Sequence, residues 1–352
     1  MADALSPVEL LRRMVAIPSP STHEEEVATF LARQMSARGF RAWVDEAGNA
    51  IGELGEGPEE ILLLGHMDTV PGDIPVQIVD GALYGRGSVD AKGALAAFIV
   101  AASRLRPRPP RRIVVAGAVE EEAATSRGAR HLLARRRPAM VIIGEPGGWQ
   151  RITLGYKGRL LVEYRLERPA SHTAGPQPAV CEQAVDFWQA VRDYAGAYNR
   201  GRERRFETLD PSLRALRSGS DGLSEWVEAT VALRIPVGLD PQTLERALTA
   251  RAQPQARLRF HGAEVPFRAP KATPLVAALL AGIRAAGGEP SFSLKTGTSD
   301  MNVVGPVWGS PIAAYGPGDS ALDHTPDEHL LLAEYEKAIE VLTAALTLLT
   351  GP

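Results

Sequence analysis

The chain has a single cysteine, Cys181, among its 352 residues. One thiol excludes an intrachain disulfide and any zinc site built on several cysteines, so metal chemistry here has to rest on histidine and carboxylate. No apolar run approaches the ~20 residues that span a bilayer. Residues 1–11 hold acids and lack the apolar core of a signal peptide, so the expected compartment is the cytoplasm, away from membranes. An excess of one charge is also missing. Against 42 acidic residues stand 39 basic ones, and a net charge of −3 argues against general nucleic-acid binding. Arginines still cluster, five at 104–112, five at 127–137 and four at 200–205. Solvated helix ends and loops are one reading of them; a partner to steer is the other. Methionine is scarce, at six, while proline reaches 27, a bias common to heat-adapted proteins and to GC-rich coding. No repeat occurs at solenoid periods.

What is present is ordinary globular text, 45% hydrophobic and 23% charged, in a chain too long for one small core. Helical periodicity covers 7–16 and 24–38 and stops at Gly39. Strands are expected at 40–45 and 50–54. The short, wholly apolar runs 61–64 and 113–119 read as central strands covered on both faces. An alanine-rich helix at 93–104 lies between them, and 140–143 is a further strand. From about Arg159 the texture changes to β-α-β-β-α-β, with strands at 160–166, 212–217, 226–235 and 256–260 and helices at 180–195 and 241–252. Helix (274–286), strand (311–315) and a last amphipathic helix (330–349) follow. The expected fold is α/β, a mixed sheet covered by helices over 1–158 and 266–352. A ferredoxin-like α+β domain is inserted at 159–265.

Chemistry-bearing residues gather at the ends of the apolar runs: His66-Met67-Asp68, Asp90, Glu120-Glu121-Glu122, Glu145 and His324. Alone, each is more often a turn, a cap or a satisfied surface group. Together they sit where open α/β sheets place their sites, and acids there face desolvation unless cations balance them.

In this order, within Leu-Leu-Leu-Gly-His-Met-Asp-Thr-Val-Pro, Gly-Arg-Gly-Ser-Val-Asp-Ala-Lys-Gly, Ile-Ile-Gly-Glu-Pro and Leu-Asp-His-Thr-Pro-Asp-Glu-His, the pattern resembles a family of co-catalytic zinc amidohydrolases. That family includes acetylornithine deacetylase, succinyl-diaminopimelate desuccinylase and aminoacylase. The resemblance covers nearly the whole chain and implies a zinc-exopeptidase-like catalytic domain with an inserted lid and dimerisation domain. It implies two Zn²⁺ per subunit, with Co²⁺ an alternative, and Asp90 bridging them. His66 and Glu145 would complete one site, Glu122 and His324 the other. Asp68 would orient His66, and Asp90-Ala91 would be a cis peptide. Glu121 would be the general base, although a slip to Glu120 as base and Glu121 as ligand stays open.

The resemblance also implies roles in the insert. His172, in Ser171-His172-Thr173, matches a lid histidine that reaches the partner's site in dimeric relatives; a turn histidine is the other reading. Arg234 matches a lid arginine that binds a substrate carboxylate. In Lys295-Thr296-Gly297-Thr298-Ser299-Asp300-Met301-Asn302, Lys295, Gly297, Thr298 and Ser299 are expected to line a carboxylate nest. That segment looks like the branch releasing lysine or ornithine from an acidic amino-group carrier protein in lysine or arginine biosynthesis. Two alternatives stay open: a small-molecule N-acyl-amino-acid deacylase, and a metal-holding scaffold without catalysis. The full ligand set with a base beside it argues against the scaffold.

Overall fold

The computed structural model describes residues 4–105, 111–172 and 174–351. Met1, Arg106 and Arg108 of the first arginine cluster, and Thr173, lie outside the described residues. In chain order the elements are α1 (Pro7–Ala16), α2 (Glu25–Ala37), β1 (Arg41–Val44), β2 (Ala50–Leu54), β3 (Glu60–His66), β4 (Gln77–Val79), β5 (Ala82–Tyr84), α3 (Lys92–Ser103), β6 (Arg112–Ala118), α4 (Arg127–Arg135), β7 (Met140–Gly144) and β8 (Arg151–Tyr156). They continue with β9 (Gly158–Pro169), α5 (Val180–Asn199), β10 (Asp210–Ser220), β11 (Ser224–Ile235), α6 (Pro241–Thr249), β12 (Arg257–Glu264), β13 (Phe267–Arg268), α7 (Pro274–Ala285), β14 (Ser291–Lys295), α8 (Asp300–Trp308), β15 (Ile312–Ala314), β16 (His329–Leu331) and α9 (Leu332–Thr350).

Two compact units result. The first comprises Met1–Gly155, Arg268–Leu294 and Ser299–Pro352; the second comprises Tyr156–Phe267 with Lys295–Thr298. The first unit is a mixed α/β fold on a nine-stranded sheet in which β6, β3 and β7 are adjacent and parallel. Every residue of β3 is buried, as is all of β6 beyond Arg112, which is why these strands read as unbroken apolar runs. Helix α3 is buried from Lys92 to Ala102 because it lies beneath α1 and α9 as well as on the sheet. Its second residue has to be glycine. A Cβ on Gly93 would stand 2.6 Å from the Ser88 carbonyl, in the loop that delivers Asp90.

The second unit has the antiparallel order β10-β11-β9-β12, with α5 and α6 on one face. Along β9 and β11 burial alternates, so Leu160, Val162, Tyr164 and Leu166 meet Val227, Ala229, Val231 and Leu233 beneath the helices. The other face carries a charge ladder in which Arg165 pairs with Glu167 and Glu228. Asp240 caps α6 by accepting from Thr243 N at 2.9 Å, with Pro241 leading the helix. Such a cap contributes about 1 kcal/mol.

The structure departs from the sequence expectation in several places. Lys295–Thr298, expected with the first unit, groups with the second, where Lys157 N donates to the Lys295 carbonyl and Arg234 to Thr298 Oγ1. The 212–217 strand extends to Asp210–Ser220 because a bulge between Leu213 and Ala215 breaks its alternation. Helix α4, for which no element was expected, runs through most of the arginine-rich stretch 127–137. No helix among the described residues is long and apolar enough to cross a membrane.

Candidate metal centre

The three parallel central strands end side by side. His66 pairs with Ala118 across β3 and β6, and Gly65 pairs with Gly144 across β3 and β7. The residues just past this line are Met67 and Asp68, then Val119 and Glu120–Glu122, then Glu145. One strand register therefore brings three segments, far apart in sequence, to one edge of the sheet. Asp90 arrives from the loop before α3, through a cis Asp90-Ala91 peptide, and His324 from the loop after β15.

Asp90 is the hub. Its Oδ1 lies 3.3 Å from His66 Nε2, and its Oδ2 lies 3.0 Å from His324 Nε2. Glu122 Oε1 lies 2.8 Å from the same His324 nitrogen. Ligand atoms of His66, Asp90 and Glu122 all fall within 4.8 Å of one another. His66 Nδ1 donates to the backbone carbonyl of Asp68 at 3.0 Å. A carbonyl can only accept, so this bond places a proton on Nδ1 and aims Nε2 at the cluster.

The charges are out of balance. Burial pushes Glu121 well above the usual carboxylate range, and Glu145, Glu122 and Asp300 add to that against the help of His66. Burial also raises Glu122, against its bond to His324. Asp90 goes the other way. Burial would raise it, but hydrogen bonds from His324 and His66 hold it below its ordinary value. Bonds to Asp90 and Glu122 lift His324 to about 10. For His66 burial pulls downward, and Asp68 and Asp90 more than reverse it. Imidazole and carboxylate converging on one point fit a borderline divalent ion.

The glutamate triplet is held by its backbone. Glu120 N donates to Glu24 Oε1, Glu121 N to Asp68 Oδ1 and Glu122 N to Asp68 Oδ2, each at 3.0 Å. Ser21 Oγ donates to Asp68 Oδ2 at 2.7 Å. The Asp68 carboxylate faces His66 as well, with Oδ1 3.5 Å from Nδ1, and beyond the sharp turn at Glu120, with φ +58°, it also holds two successive amides of the triplet. The side chain of Glu120 is turned to Thr125 Oγ1, at 2.6 Å, and Arg127 Nε, at 2.8 Å. His324 is also left-handed, with φ +62°. Two non-glycine residues in that region, beside one cluster, are the kind of local cost found at functional sites.

Glu145 is buried one residue beyond β7. Ser299, expected in the carboxylate nest, is 3% exposed. Its hydroxyl accepts from Met301 N while Asn302 Oδ1 accepts from Ser299 N. It is the cap of α8, so Asp300 to Asn302 are helix, not loop, and the Ser299 hydroxyl and Asn302 amide form a capping box. In the second unit, Arg234 Nη1 donates to Thr298 Oγ1 at 3.1 Å, Lys295 is half-buried, and a side chain at Gly297 would meet nothing within 4 Å. His172 is exposed, and its Nδ1 accepts from Ala174 N at 3.1 Å. Sequence reasoning missed Glu24, Ser21 and Lys92. Lys92 is 1% exposed, donates to the Ile17 carbonyl at 2.8 Å, and is lowered to about 7 by burial despite Glu328 and Asp68 nearby. A lysine just inside an otherwise apolar buried helix was the available signal.

Residues 62–348 match peptidase family M20/M25/M40. The chain is 50% identical to a LysW-lysine hydrolase of Deinococcus radiodurans, over 99% of this chain and 98% of that one. It is 28% identical to a LysW-lysine/LysW-ornithine hydrolase of Saccharolobus islandicus, over 96% and 94%. In fold it is similar to an M20 family metallo-carboxypeptidase of Sulfolobus solfataricus, with TM-score 0.83 and 19% identity over 98% and 99% of the two chains. The chain belongs to peptidase family M20/M25/M40 and is a hydrolase of amide bonds.

Proposed function

We propose that this protein releases lysine, with ornithine as the other amino acid in range, from the C-terminal glutamate of an acidic amino-group carrier protein. The bond broken is the amide between the glutamate side chain and the α-amino group of the released amino acid. The substrate assignment rests on likeness to the LysW-lysine hydrolase, which extends over the full length of both chains. The chemistry rests on one observation: the two oxygens of Asp90 face two different histidines.

That arrangement supports Asp90 as a bridge between two divalent ions, zinc or cobalt. His66 and Glu145 would complete one position, Glu122 and His324 the other. Such ions, when bound, lower the pKa of water and polarise an amide carbonyl. Glu121 takes the proton from the attacking water and delivers it to the departing amine. The Glu121 register is supported by Glu120, whose carboxylate is engaged by Arg127 and Thr125, and by Glu122, which is engaged by His324. Arg234, Thr298, Gly297 and Lys295 are assigned to the substrate carboxylate, and His172 to the developing oxyanion in a homodimer. Ser299 is assigned to the same carboxylate.

The test is a comparison of turnover on carrier-linked lysine, carrier-linked ornithine and their free N-acetyl forms. The carrier-linked substrates are expected to be faster by an order of magnitude or more. Equal or better rates on the acetyl compounds would overturn the carrier assignment while leaving amide hydrolysis intact.

A further inference from the structure

A second buried ion pair lies directly behind the centre and belongs to none of the roles above. Glu328 is 1% exposed, four residues after His324. Its Oε1 accepts from Val89 N at 3.0 Å and from Asp90 N at 3.1 Å. Its Oε2 accepts from Arg86 Nη1 at 2.8 Å. The same Arg86 nitrogen donates to the carbonyl of Thr325, next to His324, at 3.2 Å, and Arg86 Nε donates to the Gly72 carbonyl at 3.1 Å. A backbone bond from Gly85 N to the Glu328 carbonyl closes the same two segments together.

The geometry points to Arg86 and Glu328 as the positioning pair of the metal centre, setting the separation between Asp90 and His324. The two ligand-bearing loops are 234 residues apart in sequence, and this node grips both. Glu328 holds the backbone of Asp90, and Arg86 holds the backbone beside His324. An ion pair that served stability alone would need only the contact between guanidinium and carboxylate. Here one carboxylate oxygen is spent on two amides, one of them the amide of Asp90 itself. The arginine likewise spends a donor on the residue adjoining His324. Both side chains are engaged with the backbone of the two loops and with each other, so the pair acts through the two residues it places.

The inference rests on the metal reading proposed above, and its test needs no substrate. Metal-free protein is titrated with Co²⁺, following stoichiometry, affinity and the visible absorption of the bound ion, for wild type, Glu328→Ala, Glu328→Gln and Arg86→Gln. Loss of an outer partner of this kind weakens metal binding about 10–100-fold. Glu328→Ala is expected to show that loss with an altered cobalt spectrum. Glu328→Gln keeps an acceptor for the amides but not the charge for Arg86, and is expected to lose less. The double variant of Arg86→Gln with Glu328→Gln should be no worse than the worse single change, because the two act as one node. If Glu328→Ala does not fold, Glu328→Gln and Arg86→Gln decide. Variants that bind Co²⁺ with wild-type affinity and spectrum, and are merely less stable to heat, overturn the inference while the metal centre stands. A wild-type protein that binds no Co²⁺ overturns both.

Discussion

The two ends of the central strands β3 and β6 are both lined with buried charge, and they treat it in opposite ways. At the start of the strands, Glu60 pairs with Arg136 at 2.8 Å and with Arg112 at 3.2 Å. Beside them Glu53 pairs with Arg136 at 3.1 Å and with Arg41. At the finish stand Glu121, Glu122, Asp90 and Glu145, with two histidines and, among the described residues, no arginine paired to them. Burial would raise Glu53, but Arg41 and Arg136 hold it below its ordinary range, whereas Glu121 is driven well above it. Carboxylates of one kind, in one sheet, differ by what faces them. At one end the acids face arginine; at the other they face one another and two histidines, a donor set that suits a cation.

The sharpest way to break this comparison is to neutralise one acid at each end. Glu121→Gln should cut turnover by about 10²–10⁴ while keeping its metal, as expected for loss of a general base. Glu122→Gln should lose metal. Metal analysis beside steady-state kinetics reads both, and inactivity of Glu120→Gln with an active Glu121→Gln would move the base by one residue. At the other end, Glu60→Ala leaves Arg112 and Arg136 short of a partner. It should cost about 1–3 kcal/mol in a urea titration, with turnover per folded molecule unchanged.

The smallest effect is in the pH dependence. The depressed Glu53 contributes stability that is present above its unfolded pKa and lost as pH falls through its lower folded value. The raised Glu121 and Glu122 do the reverse in the metal-free protein. Their contribution is present at low pH and lost as pH rises through their folded values. Metal binds the ionised acids, so the Tm gained on adding metal should be larger at pH 7.5 than at pH 5. Calorimetry with and without metal checks this, and an equal gain at both values would remove the charge imbalance as an explanation.

The central strands were legible because burial on both faces leaves an unbroken apolar text, and the acids were legible because they interrupt it. The cis Asp90-Ala91 peptide followed from family resemblance, not from its residues. The second unit showed its order through alternation, and β9 and β10 each begin two residues earlier and end three later than expected. The hold of Asp68 on the amides of Glu121 and Glu122 was not legible. Carboxylates holding backbone amides leave no spacing in the sequence, since any residue has an amide to offer. Glu24 and Glu328 were missed for the same reason. Helix α8 was hidden by Pro306 and by glycine and hydroxyl residues that read as loop until the capping of Ser299 is seen.

The distance in sequence between Asp90 and His324 has a consequence for synthesis. A chain made N-terminus first at about 5–20 residues per second leaves roughly ten to fifty seconds between these two residues. The whole second unit is made in that interval. A nascent chain thus carries Asp90 without the second histidine that faces it. The late segment brings His324 and, four residues on, Glu328, so the histidine at Asp90 Oδ2 and the carboxylate that holds the Asp90 amide reach the cluster together.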